Sequence, residues 1–201
     1  MNKIVLASNN EKKIKELKNM LKDYDFKVYS LKDENINIDV EEDGTTFEEN
    51  ALKKASEIYK YLVANNKEDY LVLADDSGLE VDYLNGEPGI YSARYSGEHG
   101  NDYANNMKLL ANMKDAKGDD RRGRFVCALA LVGKNTEHIL RGTVEGYIKE
   151  ELMEGDFFGY DPLFYYPQLK KTFAEATPEE KNSISHRGRA LEKLKNILIE
   201  L

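Results

Sequence analysis

The chemistry-bearing residues gather first where an apolar run, Leu71-Val72-Leu73-Ala74, meets Asp75-Asp76-Ser77-Gly78. Two adjacent carboxylates can ligate a hard cation or take a proton from water. Bringing them near a core is costly unless they are paired or bound to a cation. Open α/β sheets place ligands beyond the carboxyl ends of their strands. A metal and general-base site at a strand end is therefore expected. A polar β-turn is the competing reading, because Asp, Ser and Gly are ordinary turn residues. A second acidic run, Glu41-Glu42-Asp43, either ligates a cation or complements the dipole of the helix after it. The single cysteine excludes an intrachain disulfide and a Cys-ligated zinc site. Cys127, inside Phe125–Val132, reads as a buried small hydrophobe. His99, His138 and His186 are too scattered for a zinc cluster, so any metal is oxygen-ligated: Mg²⁺, Mn²⁺ or Ca²⁺.

Further polar groups fall at helix starts. Ser8-Asn9-Asn10-Glu11-Lys12-Lys13 turns a short strand into a helix, and backbone N–H groups there favour anions. Plain capping, by Ser8 with Glu11 or by Asn10 alone, explains the same residues. The glycines of a P-loop are missing. Thr177-Pro178-Glu179-Glu180 is a helix start with proline and a capping box. Lys181 follows it, against the macrodipole, and so is expected to face an anion. Ser185-His186-Arg187-Gly188-Arg189 opens the last helix, either as donors to a carbonyl or phosphate or as a surface cap. Between Gly155 and Tyr165, aromatics interleave with Gly, Asp and Pro. That composition suits a rigid loop offering ring faces to a base or sugar, or an aromatic core corner. Arg121, Arg122 and Arg124 read as a solvated strand entry.

The elements that must position these groups alternate. Strands are expected at Ile4–Ala7, Phe26–Tyr29, Tyr70–Leu73, Glu80–Leu84 (stopping at Asn85-Gly86), Phe125–Val132 and Ile139–Ile148. The Phe125 strand is apolar enough to be central, and the last two should run antiparallel through Gly133-Lys134-Asn135. One helix carries Ile14, Leu17 and Leu21 on one face. Another opens with a Thr46/Glu49 capping box and buries Phe47, Ala51, Ala55, Ile58 and Leu62, with Asn50 off that stripe. A third is capped by Asp102, with Met107, Leu110 and Met113 facing inward. A fourth buries Ala190, Leu191, Leu194, Ile197 and Leu198. The stretch Glu87–Gly97 is a loop of functional length. Strands alternating with helices, with one hairpin, give α/β with a mixed sheet.

The 201 residues are expected to form a single domain, or two closely joined lobes. A composition of 41% hydrophobic and 33% charged residues fits a globular protein. The net charge of -8 argues against a nucleic-acid partner, which would need a basic face, but not against a nucleotide. No signal-peptide core and no membrane-length apolar run is seen, so a cytoplasmic protein without a membrane partner is expected.

The set and order of these stretches resemble the inosine/xanthosine triphosphate pyrophosphatase (Ham1-like) family along essentially the whole chain. The matching segments are Ser8–Lys13, Glu41–Ala51, Ala74–Leu79, Pro88–Gly97, Phe158–Pro162 and Ser185–Gly188. Phe157 departs from the pattern, standing where relatives usually carry glycine, and Ser8 replaces the more usual threonine. The resemblance implies an elongated mixed sheet flanked by helices, two lobes with a nucleotide cleft between them, and a homodimer. It implies dependence on Mg²⁺, with Mn²⁺ as a substitute, and cleavage between the α- and β-phosphates of ITP, dITP and XTP. By the same resemblance Asp76 is the general base and a metal ligand, and Glu41 the other ligand. Lys13 and Lys181 bind phosphate. Ser8, Asn9, Asn10, Glu11, Lys12 and Ser77 contact substrate, Phe158, Gly159, Tyr160 and Asp161 form the substrate loop, and His186 and Arg187 meet the base. Another modified nucleotide as substrate, or binding without hydrolysis, is the alternative. Hypoxanthine and xanthine present a 6-oxo acceptor where adenine has an amino donor. Donors built for that oxygen are left unpaired by adenine, at roughly 1–3 kcal/mol each.

Overall fold

Ile4, Val5 and Leu6 have no exposed surface, which demands cover on both faces of their strand. A computed structural model describes residues 2–22, 24–155 and 158–200, and provides that cover. Strand β1 (Asn2–Leu6) lies parallel to β2 (Phe26–Ser30) and to β3 (Tyr70–Val81), pairing Ile4 with Val28 and Leu71. With β4 (Arg122–Gly133), β5 (Thr136–Ile148), β6 (Phe164–Tyr166) and β7 (Lys171–Thr172), a seven-stranded sheet runs β2-β1-β3-β4-β5-β6-β7. The β5–β6 and β6–β7 pairs are antiparallel, so the sheet is mixed, as expected. Five α-helices stand among the described residues: α1 (Glu11–Leu21), α2 (Phe47–Ala64), α3 (Asp102–Asn112), α4 (Pro178–Ile184) and α5 (His186–Glu200). None is long and apolar enough to cross a membrane.

The chain divides into two compact units. The first holds residues 1–76, 127–141 and 190–201. Its core joins Ile4, Leu6, Leu17, Leu21, Leu73, Leu129, Leu131 and Leu194. The second holds residues 77–126 and 142–189. Its core joins Leu79, Leu109, Met113, Phe125, Ile148, Phe164 and Phe173, with the Phe125 and Phe164 rings 4.5 Å apart.

Several expectations are corrected. The segment Asp75-Asp76-Ser77-Gly78 is neither a strand end nor a turn, because β3 continues through it to Val81. Close packing keeps it extended: a Cβ on Gly78 would meet the Ser92 hydroxyl at 2.3 Å, and that hydroxyl accepts the Leu79 N–H at 2.9 Å. The separate strand expected from Glu80 is thus the tail of β3. A 3₁₀ turn, Asp82–Leu84, and the left-handed Asn85 follow. Part of the loop at 87–97 is also 3₁₀-helical, over Gly89–Arg94. Asn101, not Asp102, caps α3. Met107 is 43% exposed, while Leu109, Asn105 and Asn106 are buried instead. Arg121 is not solvated: it is buried and donates to the carbonyls of Met113, Ala116, Ile148 and Lys149. The Glu49 carboxylate bonds the N–H and hydroxyl of Thr45, one residue before the expected partner. The capping box at Thr177 forms as read.

Candidate active site

Successive side chains on a strand point to opposite faces, and β3 uses this to give Asp75 and Asp76 different surroundings. The Asp75 carboxylate is fully buried. Its Oδ1 takes Lys13 Nζ at 2.6 Å, and its Oδ2 accepts the Cys127 thiol at 3.1 Å. Lys13 sits in the first turn of α1, where the Asn10 side chain caps its backbone N–H and the Ser8 hydroxyl accepts the Asn10 N–H. Cys127 is buried as expected, but it also serves as a hydrogen-bond donor.

Asp76 is equally enclosed, yet its Oδ2 has no hydrogen-bond partner. Burial pushes its carboxyl up to about 6. Lys13 opposes that rise, Glu42 adds to it, and Lys54 and the Asn50 amide oppose it. Lys54 is paired with Glu42 and donates to the Asp75 carbonyl at 3.1 Å. A buried carboxylate oxygen with no donor is unfavourable by itself. It suits a group that ligates a cation or accepts a proton from water. Among the described residues no three His, Cys, Asp or Glu side chains converge as a cage. Mg²⁺ needs none, since it is held by one or two carboxylates together with substrate phosphates. Glu41 is exposed beside Asp76's neighbour Glu42, with its charge felt at Lys53. Asn9, Glu11 and Lys12 are exposed.

In the second unit, the expected surface cap at the start of α5 is buried. Arg187 donates to the Ser77 hydroxyl at 3.1 Å, and the His186 ring stacks on Phe125 at 4.8 Å. The loop at 158–161 is fixed residue by residue. Gly159 adopts a left-handed φ of 55°, which glycine tolerates without a steric penalty. Its N–H donates to Asp102 at 2.9 Å, and its carbonyl accepts from Asn106 at 2.8 Å. The Tyr160 hydroxyl donates to the Ser92 carbonyl at 2.8 Å, and burial drives its acidity far below that of an ordinary tyrosine. Asp161 takes Lys181 Nζ at 2.7 Å, so the anion that Lys181 faces is a carboxylate of its own chain. The same ammonium lies 5.6 Å from the Phe158 ring centroid. Phe157 lies outside the described residues.

Sequence reasoning missed the roles of Cys127 and Asn50 in the first unit and of Ser92, Asp102 and Asn106 in the second. One local signal existed: Asp102 and Asn106 stand at i and i+4, on one helix face.

The Ham1 family model matches residues 4–197. A Clostridium perfringens protein named dITP/XTP pyrophosphatase is 58% identical, with 98% of each chain covered. A Clostridium tetani protein of the same name is 51% identical over 98% of this chain and 96% of its own. The solved Ham1 protein of Staphylococcus aureus has a TM-score of 0.86 at 44% identity, with 99% of each chain covered. That of Coxiella burnetii gives 0.86 at 40% identity, with each chain fully covered. This chain belongs to the Ham1 family.

Proposed function

We propose that the protein hydrolyses non-standard purine nucleoside triphosphates, dITP, ITP and XTP, to the nucleoside monophosphate and pyrophosphate. The observation that carries this reading is the buried Asp76 carboxylate, whose Oδ2 lacks a donor, in a chain whose full-length relatives are named dITP/XTP pyrophosphatases. Asp76 takes the proton from the water that attacks the α-phosphorus, and the bond to the bridging oxygen of pyrophosphate breaks. A base held near pKa 6 is mostly ionised at pH 7 and still basic enough to accept that proton. Glu41 and Asp76 would hold Mg²⁺, or Mn²⁺ in its place, which would shield phosphate charge and acidify water.

Lys13 and Lys181 donate to phosphate oxygens, each aimed by its carboxylate partner. Ser8, Asn10 and the exposed turn residues Asn9, Glu11 and Lys12 line the approach to the N-terminus of α1, whose N–H groups favour anions. Phe158 offers its ring face to the base, within the loop that includes Gly159, Tyr160 and Asp161. His186 and Arg187 supply donors for a 6-oxo group, and Arg187 also fixes Ser77. A site built on such bonds rejects an analogue lacking the acceptor by about 10⁴–10⁵. A homodimer acting in the cytoplasm belongs to the same reading.

Pyrophosphate release with Mg²⁺, measured in parallel on ITP, XTP, GTP, ATP and dTTP, tests it. Release concentrated on ITP and XTP is expected. Dominant release from a pyrimidine nucleotide would move the substrate to another modified base. Binding of ITP without release would make the protein a non-hydrolysing binder.

A further inference from the structure

Helix α3 carries three buried or half-buried polar side chains near its start, and all of them hold loops. Asn105 accepts the Ser96 N–H at 2.7 Å and donates to the Ala93 carbonyl. Asp102 and Asn106 close on Gly159 from its two sides, one taking the N–H and the other giving to the carbonyl. Asn106 also donates to the Asp102 main-chain carbonyl at 2.7 Å, which fixes the amide rotamer so that its nitrogen faces both carbonyls. Asn101 performs the capping, accepting the Ala104 N–H, and so releases the Asp102 carboxylate for the loop. The positive end of the helix dipole favours that carboxylate where it stands.

Side chains of α3 hold both the N–H and the carbonyl of Gly159, and within Phe158–Asp161 Gly159 is the residue with the left-handed φ. The direction in which Phe158 leaves the loop depends on that backbone. We propose that Asp102 and Asn106 are positioning residues that clamp Gly159 and pre-organise Phe158–Asp161 for the purine base. The proposal rests on the reading of that loop as the substrate loop. Ordering a loop at the moment of binding costs affinity, and a loop already held avoids that cost. Loss of the clamp therefore raises KM more than it lowers kcat.

Four variants test this: Asp102→Ala, Asn106→Asp, Asp102→Asn and, as a control, Asn112→Ala. Asn106→Asp keeps size but sets a carboxylate against two carbonyls. Asp102→Asn keeps an acceptor for the Gly159 N–H. Asn112 lies exposed at the end of α3 and donates to the Tyr95 hydroxyl, not to the Gly159 backbone. For Asp102→Ala and Asn106→Asp, KM for ITP should rise roughly tenfold, with kcat changed less than about threefold. Asp102→Asn and Asn112→Ala should stay within about threefold of the parent protein. Amide hydrogen exchange at Gly159 and Tyr160 should quicken by about tenfold or more in the first two, with β4 unchanged. Unaltered KM and exchange in folded Asn106→Asp would overturn the proposal, as would an equal rise in KM in Asn112→Ala. If the parent protein turns over no ITP, the substrate reading fails, and the exchange measurement alone still judges whether α3 holds the loop.

Discussion

Each unit of the molecule holds a lysine against a buried carboxylate, and the two pairs are built differently. Lys13 meets Asp75 at 2.6 Å, and Lys181 meets Asp161 at 2.7 Å. Asp75 lies inside a twelve-residue strand, with the Cys127 thiol on its other oxygen. Asp161 lies in a loop whose shape comes from hydrogen bonds to the Gly159 backbone, one of them to the Asp102 carboxylate, and from the Tyr160 hydroxyl, and its lysine rides on a seven-residue helix. In the first unit the sheet fixes the charges, so the neighbouring Asp76 can be left buried without a donor on Oδ2. In the second the charges are only as fixed as the loop, so helix side chains are spent on its backbone.

The sharpest test of that difference is Asp76→Asn. If Asp76 is the base, kcat should fall by about 10²–10⁴. The same change should stabilise the metal-free protein. Burial holds the folded carboxyl near 6, above its ordinary value of 3.8. The unfolded chain therefore releases the proton first as pH rises, and the folded state loses stability from about pH 4 to above pH 6. The loss amounts to about 3 kcal/mol in all. Urea midpoints in chelator at pH 5 and pH 8 should fall for the parent protein relative to Asp76→Asn. A variant no more stable than its parent at pH 8 would show that the carboxylate is compensated after all.

Next in size is the contrast between the two pairs. Asp75→Ala removes a carboxylate that has no exposed side-chain surface and leaves Lys13 unpaired beside a strand held in the sheet, and should cost about 3 kcal/mol. Asp161→Ala should cost about 1 kcal/mol, because the loop and the short α4 can shift to let Lys181 reach water. Chemical denaturation of both variants measures the difference. Equal losses would mean that the loop is as rigid as the sheet.

This contrast also explains what the sequence discloses. Caps and stripes are local, and Asn10, Thr46, Thr177 and the Phe47–Leu62 stripe stand where periodicity and capping chemistry put them. Asp75-Asp76-Ser77-Gly78 is locally turn-like and stays extended only through distant partners. Cys127 is 52 residues from Asp75, and Arg187 is 110 residues from Ser77. Nothing within a short window marks such pairings. For the same reason Arg121 looks like a solvated entry until four carbonyls from two other segments are brought to it.

The smallest expected effect concerns the thiol. A thiol is a weak donor, whereas Lys13 brings a full charge to Asp75. Cys127→Ala removes a weak donor and a small apolar volume, and should cost about 1 kcal/mol. Cys127→Ser keeps a donor of better strength at slightly shorter reach, and should recover part of that loss. Neither change touches Asp76, whose side chain leaves β3 on the other face, so kcat should be unchanged within about twofold. A large drop in kcat for Cys127→Ala, with stability nearly intact, would mean that the aim of Lys13 depends on both oxygens of Asp75 being held. The strand-built pair would then need the same side-chain bracing as the loop-built one.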